Sequence, residues 1–364
     1  MLILSRLAYS WVMLDQEISL FYDENPVLPM AELEIALPQS DDLWLQKDAS
    51  AFHKAYDKAY TSVPEVPQSW QAPQHSLRDL FQMLSEDQVS QCDENLHILH
   101  MRLLLYPIQT LVCQLSQLIS CLPSARRTNR FSRDPCETSS ALQLEEIKTL
   151  LKRWLDISAR LDPKTTRHSA MKNVSMIIYH LINLNLCLSI PEIERIARED
   201  LSHPTSRQSV TEISASFDKC IYTSQEALLH CGQVLRLLRD THVQMRPAWS
   251  PLVMYRVTIA LWAISISLAA TRTRFAMKSS SSSQNPGVPT AIDDLPPSES
   301  AWRHFLKQDR GSPCLTTMAG QSVLLDDTIG IMDICEQILD AEQPRSRLTE
   351  GVAQKVRSLW VPRE

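Results

Sequence analysis

Six glycines against 21 prolines in 364 residues constrain this chain more than any other feature. Glycine reaches positive φ without a steric penalty. A chain so poor in it has few tight β-hairpin turns and few phosphate-cradling loops. The prolines fall mainly between apolar runs, where they punctuate helices. The apolar share of 44% is enough for a sizeable core, and the length allows either two or three domains or one large helical one. The pattern predicts an all-α fold: an irregular multi-helix bundle with long central helices and little or no sheet.

The first helix is the most regular stretch. Leu4, Leu7, Trp11, Leu14, Ile18 and Phe21 alternate spacings of three and four, which makes one apolar stripe. Arg6, Ser10, Asp15, Gln16 and Glu17 fall largely outside it. Asp23, Glu24 and Asn25 break the pattern, and Pro26 and Pro29 keep the connection extended. Leu33 and Leu37 then lead to Pro38, and Asp41-Asp42 precede Leu43-Trp44 on a further helix. Trp11, Phe21 and Trp44 are large apolar side chains at helical spacing, which reads as core. Trp44→Ala is expected to cost about 3–5 kcal/mol.

This order of parts resembles the fungal-specific transcription factor regulatory domain, in the version attached to fungal zinc-finger regulators. The residues that carry the resemblance are Trp11, Leu14, Asp15, Ser19, Leu20, Pro26, Leu33, Leu37, Pro38, Leu43 and Trp44, with a weaker match from His97 to Pro107. The specific part covers roughly a sixth of the chain. Two features depart from the pattern: the usual adjacent prolines are spread out as Pro26 and Pro29, and the chain begins at a helix that others normally precede. The resemblance implies a regulator that lacks its zinc finger and the first part of the domain, either truncated or acting through a DNA-bound partner. It also implies that the Leu7–Trp11–Leu14 side stands open, to be covered by a homodimer or by a DNA-bound regulator, as exposed apolar patches usually are.

Further along, residues 61–75 read as an exposed proline-bearing connection, followed by a short helix from Ser76 to Leu84. Asp93 to Leu122 reads as one helix with Pro107 inside it. Ser140 and Gln143 have capping-box spacing for a helix bearing Leu144, Ile147, Leu151, Trp154 and Leu161. Residues 169–190 are apolar nearly all round, as in a centrally buried helix. Ser209 and Glu212 repeat the capping spacing before one long helix running from Val210 through Phe217, Cys220, Leu228 and Cys231 to Leu238. Ser250-Pro251 opens the next. Helices around Trp302 to Phe305, from Met318 to Ala341, and ending near Trp360 complete the chain. The expected organisation is a helical regulatory domain over 1–278, starting mid-domain, a flexible Ser/Pro linker over 279–291, and C-terminal helices over 292–364 packing back on it. No fixed-period repeat occurs.

Chemistry finds little support. A zinc site needs closely spaced pairs such as C-x2-C, and the nine cysteines are scattered. Cys92, His97 and His100 are the nearest cluster, without a second thiolate close by. The signatures of serine hydrolases, zincins, dinucleotide folds and P-loops are absent. The acidic pairs Asp41-Asp42, Asp293-Asp294 and Asp326-Asp327 sit at helix starts or surfaces, where dipole and solvation effects explain them. No catalytic, cofactor-binding or metal residue is assigned, and no cofactor is expected. The loop with Arg126, Arg127, Arg130 and Arg133, beside Ser124, Thr128 and Ser132, reads as solvated, although phosphate contact or an import signal would use the same charges.

Val257 to Ala270 is uncharged between Arg256 and Arg272. It is shorter than the roughly 20 apolar residues of a spanning helix, and its hydroxyls also count against insertion, so it reads as a buried core helix rather than a membrane segment. The start of the chain lacks a signal-peptide pattern, and cysteines inside apolar runs fit a reducing compartment. A net charge of −6 opposes direct DNA binding, which draws on a basic face. The functional expectation, resting on the resemblance, is a nuclear, non-enzymatic transcription regulator of a fungal metabolic or secondary-metabolite gene set, acting through protein contacts. The alternative is a helical interaction scaffold unrelated to transcription.

Overall fold

The computed structural model describes residues 2–39, 43, 46–60, 75–89, 96–121, 135–161, 165–202, 210–278, 289–294, 312–317, 319–341 and 346–359. Within them the chain forms twelve α-helices and one small three-stranded sheet, so the all-α expectation holds. Asp41, Asp42, Trp44, Cys92, the arginine loop, Ser209, the serine-rich run 279–288, Trp302–Phe305 and Trp360 lie outside the described residues. The chain divides into two compact units, Met1–Lys172 and Asn173–Glu364.

The first unit contains α1 (Leu2–Tyr22), α2 (Ala49–Tyr60), α3 (Leu77–Ser85), α4 (Ile98–Cys121), α5 (Pro135–Arg160) and the start of α6 (Thr166–Cys187). Ser76 starts α3 with a reciprocal cap. Its hydroxyl accepts from Asp79 N–H, and the Asp79 carboxylate accepts from Ser76 N–H at 2.9 Å. Leu77, Leu80 and Leu84 recur at helical spacing and are buried, and α3 packs on α4 and α5. Arg153 of α5 donates to the Leu84 and Ser85 carbonyls at the far end of α3, which satisfies acceptors that the helix leaves open.

In α4 the stretch Met101–Gln109 is buried all round, and it includes Pro107. Trp154 of α5 is fully buried against it and donates its indole N–H to the Met101 carbonyl at 2.8 Å. Helix α5 starts at Pro135 and not at Ser140. Proline suits a first helical turn because its missing N–H would have no partner there, so the Ser140–Gln143 spacing marks a helix interior.

The second unit is built around α10 (Ser250–Lys278). From Val253 to Ile266 every residue of α10 is buried. It packs on α7 (Ile190–Ser202), α8 (Val210–Phe217), α9 (Ser224–Asp240), α11 (Thr328–Asp340) and α12 (Arg347–Leu359). Phe217 of α8 meets Trp262 edge-on with ring centroids 5.2 Å apart, a favoured aromatic geometry. Lys355 of α12 lies 4.1 Å from the Tyr255 ring centroid. Residues Ser250–Thr271 are long and apolar enough to cross a membrane, and 78% of the apolar window is buried inside the protein. Ile98–Ile119 in α4 passes the same test with 67% buried.

The single long helix expected over 210–238 is two. After Phe217 the chain leaves helical geometry and pairs with the end of α6. Leu188 and Ile221 form an antiparallel bridge, and Ser189 N–H donates to Cys220 O at 2.9 Å. Tyr222 and Thr223 N–H both donate to Cys187 O. The end of a helix presents carbonyls without helical partners, and these bonds outcompete continuation of α8 into α9.

The helix expected from Met318 starts at Thr328 instead, where the Asp327 carboxylate accepts from Gly330 N–H at 3.0 Å. Before it lie β2 (Ser312–Thr316) and β3 (Ser322–Leu324), antiparallel, with β1 (Pro289–Ala291) parallel to β2. This sheet is fastened to α9. Arg239 pairs with the buried Asp293 carboxylate and donates to Thr316 O, while Asp293 accepts from Thr316 N–H and hydroxyl. Gly232 in α9 leaves room for the Ile292 carbonyl, which would lie 2.0 Å from any Cβ at that position.

Candidate interaction surface

Helix α1 buries one side and leaves a second, apolar side in solvent. The buried side is Ser5, Tyr9, Val12, Gln16, Ser19 and Leu20, packed on α4. The stripe that reads as core in the sequence is the exposed one. Leu4 is 65% exposed, Trp11 60%, and Leu14 and Ile18 44% each. Leu7 and Tyr22 are equally open, and Phe21 is half-buried. The core reading of Trp11 is thereby overturned, whereas the open Leu7–Trp11–Leu14 side implied by the resemblance is present.

A polar network holds α1 in this orientation. The Asp15 carboxylate accepts from Val27 N–H at 2.9 Å and Leu28 N–H at 3.0 Å. That fixes the Pro26–Pro29 loop to the helix. The Tyr106 hydroxyl of α4 lies 2.7 Å from Asp15 Oδ2 and 2.6 Å from Leu28 O, so two acceptors compete for one proton. Burial and the adjacent carboxylate both push the phenol pKa upward, and it stays neutral. One turn away, Arg102 is buried, donates to Gln16 Oε1 and pairs with Glu17 at 3.3 Å. Burial brings this guanidinium down to about 10 in spite of Glu17, still charged at neutral pH. Gln109 donates to Gln16 O and Ser19 Oγ, and Ser19 donates to Glu24 O. Tyr9 reaches the other way. Its hydroxyl donates to Ile35 O and accepts from Leu77 N–H.

The two stretches that carry the family resemblance therefore meet in space. Asp15 and Ser19 of the first touch Tyr106 and Gln109 at and just beyond the end of the second. Leu33, Leu37, Pro38 and Leu43 are buried. Sequence reading placed Asp15, Gln16 and Glu17 outside the apolar stripe but gave no sign that their partners lie some 90 residues away.

The other candidates resolve into structural roles. His100 is buried with Nε2 2.9 Å from Pro38 O, and burial lowers it to about 4. Its Nδ1 faces His97 N–H at 3.4 Å, so both ring nitrogens are engaged. Asp293 belongs to the Arg239 pair and Asp327 caps α11. Among the described residues no three His, Cys, Asp or Glu side chains come together as a metal site.

Sequence reading missed a histidine pair in the second unit, one ring buried and the other half-buried. His180 of α6 and His230 of α9 face each other with Nδ1 atoms 2.9 Å apart. One Nδ1 donates and the other accepts, so the pair cannot carry a proton on both Nδ1 atoms. Burial lowers both, His230 to about 4.

Over nearly its whole length the chain is similar to proteins of fungi that are named transcription factors. It is 32% identical to one from Zymoseptoria tritici, covering 98% of this chain and 37% of that protein. It is 31% identical to transcription factor 1 of Elsinoe fawcettii, covering 97% and 35%. Identity to transcription factor PfmaH of Pestalotiopsis fici is 29%, covering 98% and 35%. The chain spans little more than a third of the length of these relatives. No protein-family model matches it, and no solved structure does.

Proposed function

We propose that the chain is a regulatory portion of a fungal transcription regulator. In this reading it works in the nucleus on a metabolic or secondary-metabolite gene set, through contacts with other proteins and without catalysis. The observation that carries it is the near-complete coverage of the chain by relatives named transcription factors in several fungi. Two physical features agree. The net charge of −6 gives an average field that repels phosphate, so sequence-selective DNA contact belongs to a partner or to another segment. The open side of α1 is the kind of surface that proteins use to bind one another. The resemblance to the zinc-finger-linked regulatory domain is part of this proposal, supported by the seam its residues form between α1 and α4.

The test is deletion of the gene, followed by a genome-wide comparison of transcripts. A coordinated fall in one gene set supports the reading. Unchanged transcripts together with loss of a single metabolite step would point to an enzyme and overturn it.

A further inference from the structure

We draw no further inference here: the strongest candidate, the surface loop after α1 that Asp15, Tyr106 and Tyr9 fasten while its Val27 and Ile35 side chains stand exposed, carries nothing, because nothing in the structure shows what covers it.

Discussion

A carboxylate that accepts two backbone N–H bonds and also faces a phenol is fixed in place, and Asp15 is such a group. It makes the orientation of α1 a consequence of polar pairing as much as of apolar burial. This is why the helical periodicity identified a stripe correctly and assigned its side wrongly. Gln16 and Ser19 look like solvent-facing residues in the sequence, but they are buried against α4. Only distant partners such as Arg102 and Gln109 make that possible, and one sequence does not reveal them. Two tryptophans separate the cases. Trp154 is fully buried with its indole N–H bonded to Met101 O, so Trp154→Ala should cost about 3–5 kcal/mol. Trp11 is 60% exposed, and Trp11→Ala in dilute solution should change stability by less than about 0.5 kcal/mol. Urea denaturation of both variants decides this. Equal losses would return Trp11 to the core.

At the scale of elements, what was legible was where apolar helical runs lie. Helices α3, α4 and α6 are close to their expected spans, and α10 opens at the expected Ser250-Pro251. What was hidden were the places where backbone pairing between distant segments overrides local pattern. The gap between α8 and α9 is set by bonds from residues 220–223 to the end of α6, and apolar spacing continues through it undisturbed. The sheet was hidden for the same reason, since β1 and β2 come from segments well apart and pair in parallel.

Two glycines show which contacts matter here. Gly232 lets the Ile292 carbonyl approach α9, and a Cβ there would collide with that backbone oxygen. Nothing lies within 4 Å of a Cβ at Gly351 in α12. Gly232→Ala should therefore destabilise by about 1–3 kcal/mol through overpacking. Gly351→Ala should stabilise by about 0.5–1 kcal/mol through helix propensity. Thermal melts that moved in the same direction for both would contradict this account of the sheet's seat on α9.

At the scale of the whole molecule, three imidazoles among the described residues set the response to acid: His100 and His180 are buried and His230 is half-buried. His100 in the first unit and His180 and His230 in the second are all held below the ordinary histidine range, chiefly by burial. An unfolded histidine takes up its proton near pH 6.5, whereas the folded His100 and His230 do so only at about 4. Between those values the unfolded chain binds more protons, so stability must fall as pH falls. The contribution is complete above about pH 6.5 and is lost progressively down to about pH 4.

Carboxylates with lowered values, such as Asp79, which accepts from the Ser76 backbone and hydroxyl, give up stability only at still lower pH. The interval from pH 6.5 to 5 thus isolates the histidines. Urea midpoints measured at pH 7.5, 6.0 and 5.0 should decline step by step, by a total on the order of a few kcal/mol in unfolding free energy. His180→Gln combined with His230→Asn should flatten most of that decline, because it removes two of the three rings. A wild-type midpoint that stayed constant from pH 7.5 to 5.0 would mean that the folded rings take up protons as readily as unfolded ones, which the burial of His100 and His180 does not allow.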